Sequence, residues 1–179
     1  MPVRAECEPQ EVRYVTDVLM AYATRHGSTR QVAEAVTAAM RKAGAQVTAL
    51  PAREVRESAA GYDLVVLGAP LYSGRWHHDA HRFLKRHRRE LAAACVAVFG
   101  MGPRTDTEEA WARSRAQLDR ALAKRAWLAP VAITIFGGAD PPGRGKRPQR
   151  DLRNWQTINT WATDTLVTAV RAGQTAASQ

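Results

Sequence analysis

Five short apolar runs, all but the second and third separated by segments with a helical pattern, constrain the fold of this chain more than any other feature. The runs lie at residues 18–23, 46–50, 62–67, 95–99 and 131–136. The second run alternates polar and apolar residues, whereas the first and third are almost wholly apolar. Such continuous runs are typical of strands that are buried on both faces of a sheet.

The segments between these runs predict helices. In residues 29–43, Val32, Val36 and Met40 recur at a spacing of four and form one apolar face. Similar patterns predict helices at 77–91, 107–126 and 154–170. Strands joined through helices run parallel, because a short hairpin cannot connect them. We therefore expect an α/β fold: a single doubly wound sheet of five parallel strands in the order 2-1-3-4-5, with helices on both faces.

Length and composition bound the organisation of the chain. Its 179 residues suit one domain, which we expect at 17–172, after a polar extension at 1–16 and before a tail at 173–179. The sequence contains no run of 18 apolar residues, and its acidic N-terminus is unlike a signal peptide. Cys7 and Cys95 form no CxxC pair. These features predict a cytoplasmic protein without disulfides.

The loop after the first strand is the first candidate binding site, because ligands of doubly wound sheets bind at the carboxyl ends of the strands. It offers three hydroxyls around a glycine that permits a tight turn, within Thr24, Arg25, His26, Gly27, Ser28 and Thr29. The following helix aims its free N–H groups and the positive end of its dipole into this loop, which favours a phosphate. A simpler alternative is that Ser28 or Thr29 only caps the helix.

The segments after the third and fourth strands are the next candidates. After the third strand, small residues and two aromatic rings offer the planar apolar walls that an isoalloxazine ring needs, within Pro70, Leu71, Tyr72, Ser73, Gly74 and Trp76. Alternatively, Tyr72 and Trp76 pack on the domain itself. The segment after the fourth strand has the same small, turning character and is predicted to form the opposite wall through Gly100, Met101 and Gly102.

The residues of these loops carry a family resemblance. Residues 19–30, LMAYATRHGSTR, resemble the phosphate-binding loop of the flavodoxin-like family, whose strand order is the one predicted above. Residues 62–77 and the Asn154-Trp155 pair at the start of the last helix are similar to the menaquinone-dependent protoporphyrinogen oxidase branch. The resemblance extends over residues 17–172.

This resemblance implies FMN as the cofactor. It places the phosphate at residues 24–29 and the flavin ring at 69–77 and 100–105. It also implies two-electron redox chemistry with a quinone as acceptor. The branch carries a long basic and apolar insert before the last helix, whereas residues 139–150 here are basic and nearly without apolar side chains.

The histidines supply one candidate catalytic residue. His77 lies where the edge of the flavin ring is expected, and it is predicted to donate a hydrogen bond to the reduced flavin or to move a proton. His77 and His81 also have the spacing of a metal-binding pair on a helix. Asp79 lies nearby, but the sequence offers no further Cys or His ligand to complete a tetrahedral site, so no metal is predicted, and a solvated helix face is the simpler alternative.

The charge of the chain is concentrated in two segments. With 26 basic and 17 acidic residues, the formal net charge is +9, and the excess lies in residues 75–89 and 144–153. Both segments begin on the ligand side of the predicted sheet, so they predict a basic rim near the flavin site. Such a rim would favour an anionic substrate, the anionic lipid at the inner face of a membrane, or a reduced flavin. The alternative is that both segments are ordinary solvated surface.

Three functions remain open at this point. The first is an FMN-dependent oxidoreductase that acts on a small molecule or a quinone, for example a porphyrinogen, whose carboxylates a basic rim would attract. The second is a flavodoxin-type electron carrier, which at +9 would need an acidic partner. The third, a module that binds nucleic acid, is the least favoured because no recognised motif for it is present.

Overall fold

A computed structural model describes residues 16–73, 75–141 and 149–177. The predicted extension up to residue 15, the candidate ring-binding Gly74 and part of the basic segment at 144–153 lie outside these described residues. The elements are β1 (Asp17–Tyr22), α1 (Ser28–Lys42), β2 (Gln46–Pro51), β3 (Leu64–Tyr72), β4 (Arg75–Trp76), α2 (His78–Arg86), α3 (Arg88–Leu91), β5 (Cys95–Met101), α4 (Glu108–Ala123), β6 (Ala132–Phe136) and α5 (Trp155–Ala177).

The sheet has the predicted topology. Its five long strands lie in the order β2-β1-β3-β5-β6 and pair in parallel throughout. Counted without the short β4, this is the order 2-1-3-4-5, so the expected doubly wound sheet is confirmed. The switch point lies between β1 and β3, because the chain passes from β1 to β2 on one side of this pair and from β3 to β5 on the other.

Helices cover both faces of the sheet. Successive side chains of a strand point to opposite faces. Leu19 of β1 therefore lies in one apolar cluster with Leu118 of α4. Its neighbour Met20 lies in a second cluster with Val36 of α1 and Ile158 of α5. This arrangement explains the continuous apolar runs of the sequence and leaves the ends of the strands as the place for a ligand. No helix in the described part of the chain combines the length and apolar character needed to cross a bilayer.

The third strand differs from its prediction. A loop was expected from Gly68 onward, but β3 continues to Tyr72 and then pairs with β4 in an antiparallel hairpin. The strand continues because β5 is also longer than expected, so that parallel pairing extends to Pro70 opposite Met101. The residues predicted to form two loose walls are therefore largely strand residues.

The predicted helix at 77–91 is divided in two. Helix α2 ends at Arg86 and α3 begins at Arg88, with His87 between them at φ −99° and ψ 21°. The His87 side chain is only 3% exposed, and its ring nitrogens contact Glu90 and the carbonyl of Val55. The His87 ring thus contacts the segment between β2 and β3, outside α2 and α3. At the other end of the chain, α5 continues to Ala177, past its predicted end at residue 170.

Candidate functional site

The loop between β1 and α1 is held in a tight turn by Gly27. This residue has φ 91°, a left-handed conformation that a side chain would strain, and it is the N-cap of α1. Its N–H donates to Thr24 Oγ1 at 2.9 Å, and its carbonyl accepts from Gln31 N at 3.1 Å. Thr24 therefore shapes the turn as well as contributing a hydroxyl to the predicted phosphate loop.

The first turn of α1 presents donors that the described protein does not use. No side chain caps the helix, and its first turn holds no acidic residue. Within the described residues, the backbone N–H groups of Ser28, Thr29 and Arg30 donate to no protein acceptor. The Thr29 hydroxyl is buried and likewise without a partner. Capping by Ser28 or Thr29, the simpler alternative, does not occur. These donors at a helix N-terminus suit a phosphate.

A cleft of about 700 Å³ opens beside this loop at the carboxyl edge of the sheet. Four of the predicted site residues line it, namely Arg25, His26, Tyr72 and Ser73. The rings of His26 and Tyr72 meet edge to face, with centroids 6.3 Å apart, and so join the first loop to the end of β3. The remaining lining residues come from the segments after β5 and β6, which are Arg104, Ala139, Asp140, Pro141, Gln149 and Arg150.

Other predicted site residues do not line the cleft. Trp76 is 3% exposed, and its indole N–H donates to the carbonyl of Ala69 at 3.2 Å, so its ring lies in the core. Met101 is also buried in the core. Gly100 leaves room for its neighbours, because a Cβ there would lie 2.8 Å from Ile135 Cδ1. Gly102 donates its N–H to the carbonyl of Phe136 at 2.7 Å.

Pro70 and Leu71 belong to β3 and are likewise structural in position. Pro70 is buried, and its carbonyl accepts from His77 N at 3.1 Å. Leu71 pairs with Trp76 across the β3–β4 hairpin and packs against the core. The structure therefore brings together the predicted phosphate loop, Tyr72 and Ser73, whereas it places Pro70, Leu71 and Trp76 beneath them.

Three charged residues of the cleft were not predicted as site residues. Asp140 contacts Arg104 Nη1 with Oδ1 and Arg150 Nε with Oδ2, both at 3.3 Å. The backbone N–H of Arg150 also donates to Asp140 Oδ2 at 3.1 Å. The sequence places Arg150 only within a basic segment and Arg104 only within the predicted ring segment at 100–105, and it assigns no role to Asp140. These contacts form where the segment after β5 meets the segment between β6 and α5, and a local sequence pattern cannot predict such a tertiary contact.

The charges of the cleft perturb its titratable groups. Burial raises the pKa of Tyr72, although the positive charges of Arg104 and Arg25 act in the opposite direction. The pKa of Asp140 is lowered, first by the hydrogen bond from the backbone of Arg150 and further by the Arg150 and Arg104 side chains. Asp140 therefore stays ionised well into the acidic range, and Tyr72 stays neutral at physiological pH.

His77 lies next to the cleft but is not among its lining residues. As the N-cap of α2, its Nδ1 accepts from the backbone N–H of Asp79 at 3.2 Å. Burial lowers the pKa of His77, and the neighbouring His78 lowers it further. The ring is therefore neutral at pH 7, as an acceptor at Nδ1 must be.

The structure does not bring His77 and His81 together as a pair of possible metal ligands; the cluster of possible ligands contains His77 but not His81. His81 Nδ1 accepts from Arg125 Nη2 at 2.8 Å, and burial together with that guanidinium lowers the pKa of His81. His77, His78 and Asp79 instead bring three possible ligand atoms within 4.8 Å of one another. The Nδ1 of His77 already accepts a backbone hydrogen bond in this cluster.

Comparison with known proteins decides the family. A family model described as a flavodoxin domain matches residues 19–140. The chain belongs to the flavodoxin domain family. Membership implies a flavin at the switch point, where this flavodoxin-domain protein has its cleft and its unpaired donors. The donor set fits a flavin phosphate, since α1 offers N–H groups and a hydroxyl without any competing acid.

Several relatives of this flavodoxin-domain protein are informative. It is 30% identical over 84 residues to the protoporphyrinogen IX dehydrogenase [quinone] of Escherichia coli (strain K12), covering 46% of each chain. The chain thus spans about half the length of the curated relatives it matches. Flavodoxin 1 of Bacillus cereus has a similar structure, with a TM-score of 0.58, 16% identity and coverage of 84% of this chain and 97% of that one. A flavodoxin from the domain Archaea matches with a TM-score of 0.59, 14% identity and coverage of 86% and 99%.

Proposed function

We propose that this protein binds FMN and uses it as an oxidoreductase on an anionic or quinone-type substrate. The observation that carries the proposal is the buried Thr29 hydroxyl, which lacks a partner at the uncapped start of α1. A phosphate monoester would satisfy this hydroxyl and the free N–H groups together. FMN carries such a group, and riboflavin does not.

The residues of the cleft have separate tasks in this proposal. Residues 24–29 hold the phosphate, with Thr24 fixing the turn at Gly27. Tyr72 offers a half-buried flat ring at the end of β3 for the isoalloxazine, and the segment at 100–105 forms the opposite side. When bound, FMN supplies the two-electron chemistry, and the protein supplies binding, orientation and electrostatics.

The charges of the cleft favour an enzyme over a carrier that docks on basic proteins. Among the described lining residues there are three arginines and one carboxylate. An anionic small molecule is attracted to such a site, and the attraction is greater where water is partly excluded. The name of the E. coli relative suggests a porphyrinogen as electron donor and a quinone as acceptor. The basic rim would also suit docking on an anionic membrane surface.

Flavin binding is the first experiment. The apoprotein is titrated with FMN and with riboflavin while the quenching of flavin fluorescence is followed. We expect FMN to bind at least about tenfold more tightly than riboflavin, since charge-assisted hydrogen bonds to the phosphate contribute roughly 1.5–3 kcal/mol each. Failure of the protein to bind either flavin would overturn the proposal.

Thr29→Val tests the phosphate site directly. The substitution removes the unpaired hydroxyl and keeps the shape of the side chain, so FMN affinity should fall about tenfold while riboflavin affinity stays unchanged. Thr37→Val is the matched control, because Thr37 on the same helix is also buried with an unpartnered hydroxyl but lies remote from the loop. Equal losses for the two variants would contradict the assignment.

Turnover then separates an enzyme from a carrier. The FMN-loaded protein is mixed with an excess of a porphyrinogen as electron donor and of a soluble quinone as acceptor, and formation of the porphyrin and of the reduced quinone is followed. Quinone reduction at many turnovers without a partner protein supports the oxidoreductase. Reoxidation that requires an added partner protein would support the electron carrier instead.

A further inference from the structure

The cleft contains a charged bridge between two loops that the phosphate site does not need. Arg104 follows β5 and Arg150 precedes α5, and each contacts a different oxygen of the Asp140 carboxylate at 3.3 Å. All three residues line the cleft next to Tyr72. We call this set of three residues the arginine bridge.

The backbone fixes the arginine bridge relative to the sheet. The N–H of Gly138 donates to the carbonyl of Pro103 at 2.8 Å, and the N–H of Asp140 donates to the carbonyl of Arg150 at 2.8 Å. The loops approach closely, because a Cβ on Gly138 would lie 2.8 Å from the carbonyl oxygen of Gly102. The two segments that carry Arg104 and Arg150 are therefore joined by backbone hydrogen bonds and are not independent loops.

The bridge leaves positive charge facing the cleft. Two guanidinium groups share one carboxylate, so one positive charge remains uncompensated within the bridge. Arg25 adds a further positive charge from the loop after β1. Arg104 and Arg25 line the cleft together with Tyr72, and their positive charges lower the pKa of its half-buried hydroxyl against the larger, opposite effect of burial.

The redox state of a flavin changes the charge of its ring. Taking up two electrons and one proton converts the neutral oxidised ring into a reduced ring with one negative charge. We propose that Arg104 and Arg150, held by Asp140, bind this reduced anionic ring of FMN more tightly than the oxidised ring. The inference rests on the proposed FMN binding and goes further, because it assigns these residues to the tuning of the flavin potential.

The preference has a thermodynamic consequence. When a protein binds the reduced form of a ligand more tightly than the oxidised form, the bound ligand is easier to reduce than the free ligand. This follows because the binding and reduction steps form a closed thermodynamic cycle. Each tenfold preference for the reduced form raises a two-electron potential by about 30 mV. The bridge would therefore make the bound flavin a stronger oxidant than free FMN, which suits removal of electrons from a substrate.

Charge-removing variants of the bridge provide the test. Arg104→Gln and Arg150→Gln are loaded with FMN and titrated with dithionite in the presence of a reference dye, and the affinity for oxidised FMN is measured separately. Each variant should reduce the preference for reduced FMN by about threefold to tenfold, a shift of roughly 15–30 mV to lower potential. Arg104→Lys and Arg150→Lys, which keep the charge, should retain most of the wild-type potential.

Arg171→Gln is the matched control. It makes the same change of net charge, but Arg171 lies near the end of α5, in a groove with Thr16 and Ala45 at the opposite edge of the sheet. If the bridge variants shift the potential no more than Arg171→Gln does, the inference is wrong. If the wild-type protein binds no FMN, the proposed function fails first and separately.

A measurement on the wild-type protein alone tests the inference even if the variants no longer bind flavin. The wild-type potential is compared with that of free FMN at low and at high ionic strength. Because salt screens charges in a partly open cleft, the positive shift should shrink as the salt concentration rises. A wild-type potential at or below that of free FMN at low salt would overturn the inference.

Discussion

Glu90 joins the segment after β2 to helices α2 and α3 through three hydrogen bonds. Its Oε2 accepts from the backbone N–H of Ala59 at 2.9 Å and contacts His87 Nδ1 at 2.8 Å. Its Oε1 accepts from Ser58 Oγ at 3.0 Å. His87 is 3% exposed and has the Val55 carbonyl at its other ring nitrogen, so its ring depends on these two acceptors.

Glu90→Ala should therefore destabilise the protein more than a surface substitution does. A hydrogen bond to a charged group contributes about 1.5–3 kcal/mol, but the Glu90 side chain is 29% exposed, which lowers each contribution. We expect a total loss of roughly 3 kcal/mol in the free energy of unfolding. For a domain of this size, that corresponds to a decrease of about 6–12 °C in the melting temperature.

Urea unfolding followed by circular dichroism measures this loss. Glu34→Ala is the control, because Glu34 on α1 is 62% exposed and pairs with Arg30 at 3.4 Å, so its loss should cost less than about 1 kcal/mol. Glu90→Gln should fall between the two, since it keeps an acceptor for Ala59 or Ser58 but loses the charge. Equal stability of Glu90→Ala and Glu34→Ala would refute the reasoning.

The same contacts predict a pH dependence. The Ala59 N–H, then His87, hold the pKa of Glu90 below its ordinary value of 4.5. A lowered folded pKa contributes stability that is present above 4.5 and is lost as the pH falls through the folded pKa. Unfolding free energies measured between about pH 6 and pH 3 should therefore fall less steeply in Glu90→Gln than in the wild type. Parallel curves would contradict the assignment.

Substitutions at three positions test other parts of the structure. In Gly68→Ala, the new Cβ would lie 2.0 Å from Cζ of the buried Phe99 ring, so the unfolding free energy should fall by about 3 kcal/mol or more. His77→Ala removes the acceptor of the Asp79 N–H and should cost about 1 kcal/mol, whereas His77→Asn restores a cap; if His77 also moves a proton, both variants lose turnover. Thr29→Val should leave the FMN-free protein as stable as the wild type or more so, as judged by thermal unfolding, because a buried hydroxyl without a partner is removed.

The parts of the fold that are encoded locally could be predicted from the sequence. The order of the strands follows from apolar runs joined largely by amphipathic helices, and the tight glycine turn between β1 and α1 follows from six consecutive residues at 24–29. The roles of individual residues within the loop, such as the Thr24 hydroxyl fixing Gly27, are visible only in the structure.

Features that depend on distant contacts could not be predicted. Arg104 and Asp140 are 36 residues apart, and their pairing arises where two loops meet. His87 interrupts a regular helical pattern because its ring reaches Val55, 32 residues earlier. Trp76 is an aromatic residue in a segment predicted to contact a flavin ring. The β3–β4 hairpin, however, places its indole in the core, where the Ala69 carbonyl accepts its N–H. Each case needs the tertiary structure, because the partner is absent from the local sequence.

The β3–β4 hairpin has a consequence for the cost of ligand binding. Tyr72 pairs with Arg75, and Leu71 pairs with Trp76, so the backbone beside the cleft is ordered by strand pairing before any ligand arrives. A flexible loop would lose conformational entropy on closing around a ring, about 1–2 kcal/mol for each residue fixed. Here that entropy is lost during folding, so the wall at Tyr72 is preorganised and the binding step keeps more of its interaction energy.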